Sequence, residues 1–411
     1  MKDLIIIGGG AAGFFAASEV LRQKPNARII LLEKTGKILS KVKISGGGRC
    51  NVTHHCFDAE RLIQFYPRGN PWLSAVFERF HVEDTLNWFK RFGVTIVAES
   101  DGRMFPDTNQ SQTIIDAMVK GAQGKGFLLR LHAAVKNISS VDEGFAVALE
   151  NGEVIQTQQV LVASGGSPTG NGFSFLSEYG FTIVPPVPSL FTFNVPKHPW
   201  IDLMGLSIPK ATVGIINTDL SFSGPVLVTH WGFSGPAVLK LSAFGARLLH
   251  NQQYRYSFYL DLLPDLTISE VERAMVDFQT LNPKKKPDQS MLFPLPKRMW
   301  EKICEESGLS LYFNWAEAGK RKIQEAARLL KKRVFQAEGK TTYKEEFVTS
   351  GGIHLDEVNN KTCQSKRFSG LFFAGEVLDV DGITGGFNFQ AAWSTAFCAS
   401  AEIVKKVISE N

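Results

Sequence analysis

Leu4-Ile5-Ile6-Ile7-Gly8-Gly9-Gly10-Ala11-Ala12-Gly13 lies at the start of the chain, and its spacing decides how the remainder is read. Leu4 to Ile7 is an unbroken apolar run, as expected of a parallel strand buried on both faces. It passes directly into a G-x-G-x-x-G pattern. Phe14 to Gln23 reads as a helix, Pro25-Asn26 stops it, and Arg28-Ile29-Ile30-Leu31-Leu32 reads as a second strand. That strand closes on Glu33, twenty residues beyond Gly13. In this frame Gly8 permits the tight turn, Gly10 lets a pyrophosphate approach the backbone, and Gly13 lets helix and strand pack closely. The helix start at Ala11 and Ala12 offers free N–H groups and a partial positive charge. Glu33, with Lys34 beside it, is placed to meet an adenosine ribose, and an acid there disfavours a 2′-phosphate. FAD or NAD is therefore preferred over NADP as the tightly held partner.

The far end of the chain selects FAD. Gly370-Leu371-Phe372-Phe373-Ala374-Gly375-Glu376 is another buried strand closing on glycine and an acid. Val380 to Asn388 follows, rich in glycine, and then a helical stretch from Phe389 to Ser409. A second helix N-terminus behind Gly385 and Gly386 presents backbone N–H groups to the electron-rich edge of a flavin. A plain glycine-rich loop is the alternative; the pairing with the N-terminal fingerprint favours the flavin.

Composition sets bounds. At 411 residues the chain predicts two or three domains, and 44% apolar with 21% charged residues excludes disorder. Five cysteines at irregular spacings exclude a disulfide scaffold, and with no CxxC pair or Cys/His cluster no metal site is expected. Leu4 to Val20 is interrupted by Gly8, Gly9, Gly10 and Gly13 and falls short of the ~20 residues of a membrane span. With no secretory signal read at the start, a cytoplasmic location and no membrane partner are expected.

The predicted fold is α/β: a Rossmann-type FAD-binding domain of the glutathione-reductase kind, formed by residues 1–188 and 342–411. Pro185-Pro186-Val187-Pro188 marks the break, since proline cannot continue a sheet. Between the halves, 189–264 reads as an inserted antiparallel β domain from segments such as Ala211–Ile216 and Tyr254–Leu262, and 265–341 as a separate basic helical domain. From Lys284 to Arg333 thirteen Lys/Arg face six Asp/Glu, a balance of +7, while the whole chain carries +5. On the predicted helix Ile323, Ala327, Leu330 and Val334 point inward, leaving Arg321, Lys322, Arg328, Lys331 and Lys332 outside. Such a region suits RNA or another polyanion; a solubilising helix face is the alternative.

Three further segments carry a resemblance. Ser45-Gly46-Gly47-Gly48-Arg49-Cys50-Asn51-Val52-Thr53, His230-Trp231-Gly232-Phe233-Ser234-Gly235-Pro236-Ala237-Val238-Leu239, and Thr349-Ser350-Gly351-Gly352 together with Gly375 to Asn388 resemble the bacterial FAD-dependent oxidoreductases of the BaiN/RdsA-like, aminoacetone-oxidase-like type. The resemblance spans essentially the whole chain. It departs at His54, where asparagine is usual, at Phe387 and Phe389, and in the shortened loop 165–170. It implies that Gly8 to Gly13 and Glu33 hold the ADP half of FAD. Lys41 and Ser45 to Asn51 would wrap the pyrophosphate and isoalloxazine, and Val135, on a strand from Leu129, would lie against the adenine. Glu376 would face the ribityl and phosphate region, and Gly385, Gly386, Phe387 and Asn388 the pyrimidine edge.

Hydride transfer needs a shielded flavin and usually a proton donor. Cys50 is a candidate donor or reactive thiol, the alternative being a small apolar filler. His230 is a second candidate, the alternative being a structural histidine. One dinucleotide fingerprint is present, so NAD(P)H is expected to bind transiently. The resemblance implies reduction of an activated C=C, with uridine in ribosomal RNA as the leading substrate. Alternatives are reduction of an unsaturated steroid or bile acid, oxidation of an aminoacetone-type amine, and a non-enzymatic flavin-containing RNA-binding protein. Oligomeric state is not legible.

Overall fold

The structure is a computed structural model that describes residues 1–167, 171–309, 313–341 and 348–407. It divides into two compact units: Met1–Ser189 with Tyr343–Asn411, and Leu190–Thr342.

In the first unit β1 (Lys2–Ile7) lies at the middle of a mixed sheet. The buried run Leu4 to Ile7 is flanked on both sides by parallel neighbours, β2 (Ile29–Leu32) and the strand Val154–Val162. Beyond β2 lies Phe127–Arg130; the other edge is an antiparallel pair, Gly144–Leu149 and Val135–Val141. The upper half of Val154–Val162 also pairs with Leu371–Phe373, in register Phe373↔Val162. Ile7, Leu32, Val162 and Phe373 thus end level, so the carboxyl ends of four parallel strands open onto one place. The helix α1 (Ala11–Gln23) packs on the long C-terminal helix Phe387–Lys406: Phe15 and Trp393 have ring centroids 5.6 Å apart, and the Ser400 hydroxyl donates to the Ala16 carbonyl at 3.4 Å. That helix begins two residues before the expected Phe389; the expected end at Ser409 lies outside the described residues. The short strands Thr53–His54, Arg103–Pro106 and Ile96–Ala98 form a separate small sheet.

Val135 does not continue a strand from Leu129. Phe127–Arg130 ends before His132, whose φ is +52°, and Val135 starts the edge strand opposite Leu149.

The second unit is built on a seven-stranded antiparallel arrangement including Ser207–Ile215, Ser221–Val228, Arg255–Asp261 and Arg333–Glu338. The sequence predicted distinct β and helical domains here, but both share one core. Phe258 stacks on Phe335 at 5.5 Å, and the Trp200 indole N–H donates to Glu306 on the helix Lys297–Ser307 at 2.8 Å. Arg333–Glu338 is a strand rather than the end of a helix, because Val334 and Phe335 fit the sheet beside Arg255–Asp261. The inward stripe of the helix Lys320–Lys332 is accordingly Ile323, Ala326, Ala327 and Leu330, without Val334. Lys331 is not outward either: its side chain is 13% exposed and pairs with Asp261 at 2.7 Å. Among the described residues no helix is long and apolar enough to cross a membrane.

Candidate functional site

The first half of the site is the turn between β1 and α1. Gly8 has φ +114°, and a Cβ there would lie 2.3 Å from the Ala163 carbonyl oxygen. A Cβ on Gly13 would lie 2.1 Å from the Gly8 oxygen, so both glycines are required by close backbone contact. Gly10 differs: nothing lies within 4 Å of its Cβ position. Gly10 caps α1 without a side-chain hydrogen bond and the first turn holds no acid, leaving the N–H groups around Ala11 and Ala12 open to an anion. Glu33 ends β2. Its carboxylate accepts the Gly9 N–H at 2.9 Å, and the Thr35 N–H and hydroxyl at 2.8 Å each. The Ala133 N–H donates to the Glu33 carbonyl at 2.9 Å, so Ala133 rather than Val135 borders this acid. Lys34 is exposed beside it.

Three oxygens lie at or beside the carboxyl end of Val154–Val162. Ser164 Oγ, Thr349 Oγ1 and Glu376 Oε1 are buried without a partner among the described residues, as is Ser350 Oγ on the opposite face of its strand. Gly166 ties the group together: its Cβ position is 3.0 Å from Thr349 Oγ1 and 3.6 Å from the Glu376 carboxyl carbon. Lys41 holds the other Glu376 oxygen at 2.6 Å. Buried polar atoms almost always have partners, so the cluster fits a ligand chain rich in hydroxyl and phosphate groups. Together with the open Gly10 turn, it fits FAD. The loop residues 168–170, expected to shape the entrance, lie outside the described residues.

Ser45 to Asn51 form a left-handed turn: Gly46, Gly47 and Gly48 have φ of +58°, +68° and +84°. Nothing lies within 4 Å of the Cβ positions of Gly47 and Gly48. The side chains beside them are already engaged. Arg49 pairs with Glu99 at 2.6 Å and lies 3.9 Å over the Phe105 ring, so its guanidinium is a clamp within the protein. Asn51 Oδ1 accepts the Met104 N–H at 3.3 Å. Cys50 is 0% exposed, and burial pushes its thiol up to about 12, opposed by Ser45. Full burial and a raised thiol pKa favour the apolar-filler alternative for Cys50 over a reactive thiol.

The second helix start is held from two sides. Gly386 has φ +93° and a Cβ there would meet the Thr53 carbonyl oxygen at 2.5 Å. His54 Nδ1 donates to the Gly385 carbonyl at 3.0 Å, and its ring stacks on Phe387 at 4.6 Å; burial lowers its pKa. Tyr66 donates to the Phe387 carbonyl at 2.6 Å. Asn388 and Gly382 exchange two hydrogen bonds of 2.9 Å, so the Asn388 side chain staples the loop rather than facing a ligand. Behind it the buried Asp381 accepts from Arg68 and, at 2.8 Å, from Ser189. Helix Phe387–Lys406 has no side-chain cap and no acid in its first turn, leaving N–H groups to face a ring edge.

The sequence assigns no role to His54, Arg68, Ser164, Thr349 or Ser350, although Thr349-Ser350-Gly351-Gly352 is one of the segments that carry the resemblance. His230 lies in the second unit, exposed on the turn before Gly232, its ring edge-on to Trp231 at 3.9 Å. It borders a groove of about 550 Å³ with Lys197, His198 and Glu338.

Residues 2–402 match the family model described as HI0933-like protein Rossmann domain. The chain is 27% identical to the ribosomal RNA dihydrouridine synthase of Escherichia coli (strain K12), covering 98% of both proteins. It is 25% identical to the 3-dehydro-bile acid delta(4,6)-reductase of Clostridium scindens, covering 97% of this chain and 98% of that one. The E. coli quinol fumarate reductase subunit FrdA shares its fold, with a TM-score of 0.52 at 16% identity, over 100% of this chain and 71% of the other.

Proposed function

We propose, since the chain belongs to the HI0933-like Rossmann family and is an FAD-dependent oxidoreductase, that it reduces an activated C=C and that its substrate is uridine in ribosomal RNA. The observation that carries this reading is full-length similarity to a protein named for that reaction, in a chain whose charge excess is concentrated in one region. The bile-acid reductase is nearly as similar, and a C=C beside a carbonyl is common to both substrates. A steroid-type acid is therefore the second reading. It gives no role to +7 of charge between residues 284 and 333.

Bound FAD supplies hydride transfer at its isoalloxazine ring, recharged by transient NAD(P)H. The protein's part is binding and polarisation. The open turn Gly8 to Gly13 holds the pyrophosphate, and Glu33 takes the ribose hydroxyls of the ADP half. Ser164, Thr349 and Glu376 would satisfy the ribityl chain. The N–H groups that follow Gly386, fixed by His54, Tyr66 and Asn388, stabilise negative charge on the pyrimidine edge. Cys50 takes no part in proton transfer. His230 remains the proton donor to test. The protein acts in the cytoplasm on this reading.

The test is incubation of the purified holoenzyme with ribosomal RNA and NADH or NADPH, with dihydrouridine read by mass spectrometry. Formation of dihydrouridine supports the reading. Bleaching of the flavin without any dihydrouridine, together with turnover of an unsaturated bile acid, would replace it with the second.

A further inference from the structure

We propose that the second unit docks the phosphate backbone of RNA on a small face made by two cationic segments, 284–286 and 320–322, and not across the whole basic stretch. The inference rests on the RNA reading above.

Ion pairing first removes much of the apparent charge. Lys297 pairs with Glu301 at 3.6 Å, Lys302 with Asp202 and Glu305 at 3.2 and 3.0 Å, and Arg328 with Glu325 at 2.6 Å. Lys331 pairs with Asp261 at 2.7 Å and Arg333 with Glu306 at 2.9 Å, their side chains 13% and 25% exposed. These five cations are paired within the unit. Arg298 is spent on the Asp202 carbonyl, and the exposed Lys332, at the far end of its helix, lies 5.6 Å over the Tyr259 ring.

Lys284, Lys285, Lys286, Lys320 and Arg321 are exposed and Lys322 is half-buried; among the described residues no ion pair is observed for any of the six. The first segment is tied to the loop that leads into the second, although 34 to 38 positions separate their members. The Trp315 N–H donates to the Lys285 carbonyl at 2.8 Å, and the Ala316 N–H to the Pro283 carbonyl at 2.9 Å. The Gln279 side-chain amide donates to the Trp315 and Ala318 carbonyls at 2.7 Å each, and Trp315 itself is 0% exposed. The chain that carries these six cations is therefore held at residues 283–285 and 315–318 by backbone hydrogen bonds and a buried tryptophan. On the connecting segments Asp288 is buried and Glu317 is exposed.

The positions argue against a solubilising role. Lys320, Arg321 and Lys322 occupy the first turn of the helix Lys320–Lys332, which has no side-chain cap and no acid in that turn. Cations at the positive end of a helix cost about 0.3–1 kcal/mol each. Charge meant only for solubility has no reason to sit where it weakens its own helix, whereas a phosphate on this face relieves the repulsion. The aromatic rings here already have cations over them, Lys322 at 4.0 Å from the centre of Phe313 and Lys285 at 5.5 Å from that of Phe278. Recognition is therefore by phosphate charge, not base stacking, and is independent of sequence.

The test uses FAD-loaded full-length protein and a fluorescein-labelled 30-nucleotide RNA hairpin, with affinity measured against salt by anisotropy. One variant carries Lys284→Gln, Lys285→Gln, Lys286→Gln, Lys320→Gln, Arg321→Gln and Lys322→Gln; a second keeps the charge with Arg321→Lys alone. Each phosphate contact contributes ~0.7–0.9 to the salt slope. The six-fold variant should flatten that slope by about 2 to 4 and bind at least ~10-fold more weakly at physiological salt, while Arg321→Lys stays near wild type. An unchanged slope in the six-fold variant, with wild type still binding, overturns this face and leaves the RNA reading standing. Wild-type protein that ignores the hairpin at low salt, or prefers phosphatidylglycerol vesicles, overturns both. Unchanged flavin absorbance and Tm show that the variants remain folded.

Discussion

Glu33 performs two tasks with one carboxylate: it braces the turn through Gly9 and Thr35, at 2.9 and 2.8 Å, and presents acceptors where a ribose would lie. Glu33→Gln keeps the volume but replaces one acceptor with a donor, which must then face an N–H. A hydrogen bond to a charged group contributes about 1.5–3 kcal/mol, so FAD affinity should fall by ~10–100-fold in titrations of apoprotein. A change under twofold would show that the ribose is held elsewhere. Cys50 makes the opposite case. Its thiol is raised from 9.0 to about 12 by burial, so it contributes stability that is whole below the unfolded pKa and is lost as pH rises toward 12. Native protein should resist iodoacetamide at pH 8, and Cys50→Ala should keep the flavin spectrum and turnover within about threefold, at a stability cost of ~1 kcal/mol. Rapid alkylation, or turnover abolished with the flavin still bound, would return this residue to the chemistry.

At the scale of elements, the two glycines on α1 separate packing from binding. Gly13→Ala drives a methyl to 2.1 Å from the Gly8 oxygen, forcing helix and strand apart. Overpacking of this kind costs about 1–3 kcal/mol, so both Tm and bound FAD should drop. Gly10→Ala meets nothing within 4 Å and has φ −94°, which alanine tolerates. It should fold with normal Tm and lose FAD alone, read from the flavin-to-protein absorbance ratio. Equal Tm losses in both variants would mean that the open space over Gly10 is not where phosphate lies. This contrast was legible in the sequence because turn, helix and acid lie within thirty-three residues and each obeys a local rule. Arg49 and Thr349 were not legible. Arg49 is turned away by Glu99, fifty positions on, in the turn between the strands Ile96–Ala98 and Arg103–Pro106. Thr349 gains meaning only because the fold brings it against Gly166 and Glu376, which are distant from it in the chain. Val334 was misread for a related reason: apolar spacing at the end of a helix also suits the first residues of a strand, and pairing with Arg255–Asp261 decided between them.

The insertion has a consequence for the whole molecule. The chain leaves the flavin unit at Ser189 and returns to it at Val348, and these residues are direct antiparallel partners. Ser189 is also anchored to the buried Asp381 at 2.8 Å, beside Arg68, so this strand end is fixed by contacts inside the first unit. Antiparallel partners are joined in hairpins by turns of two residues such as Asn-Gly. Replacing residues 190–347 with Asn-Gly should therefore close a hairpin without straining the sheet. The second unit has its own core around Phe258, Phe335 and Trp300, so its removal uncovers no part of that core in the remainder. The excised protein should fold, be yellow, and bind FAD within about tenfold of the parent, a difference of ~1.4 kcal/mol. It should lose salt-dependent RNA binding together with the segments 284–286 and 320–322. Retained RNA affinity would assign the docking face to the flavin unit. Colourless, aggregated material would mean that the first unit depends on the insertion for its fold.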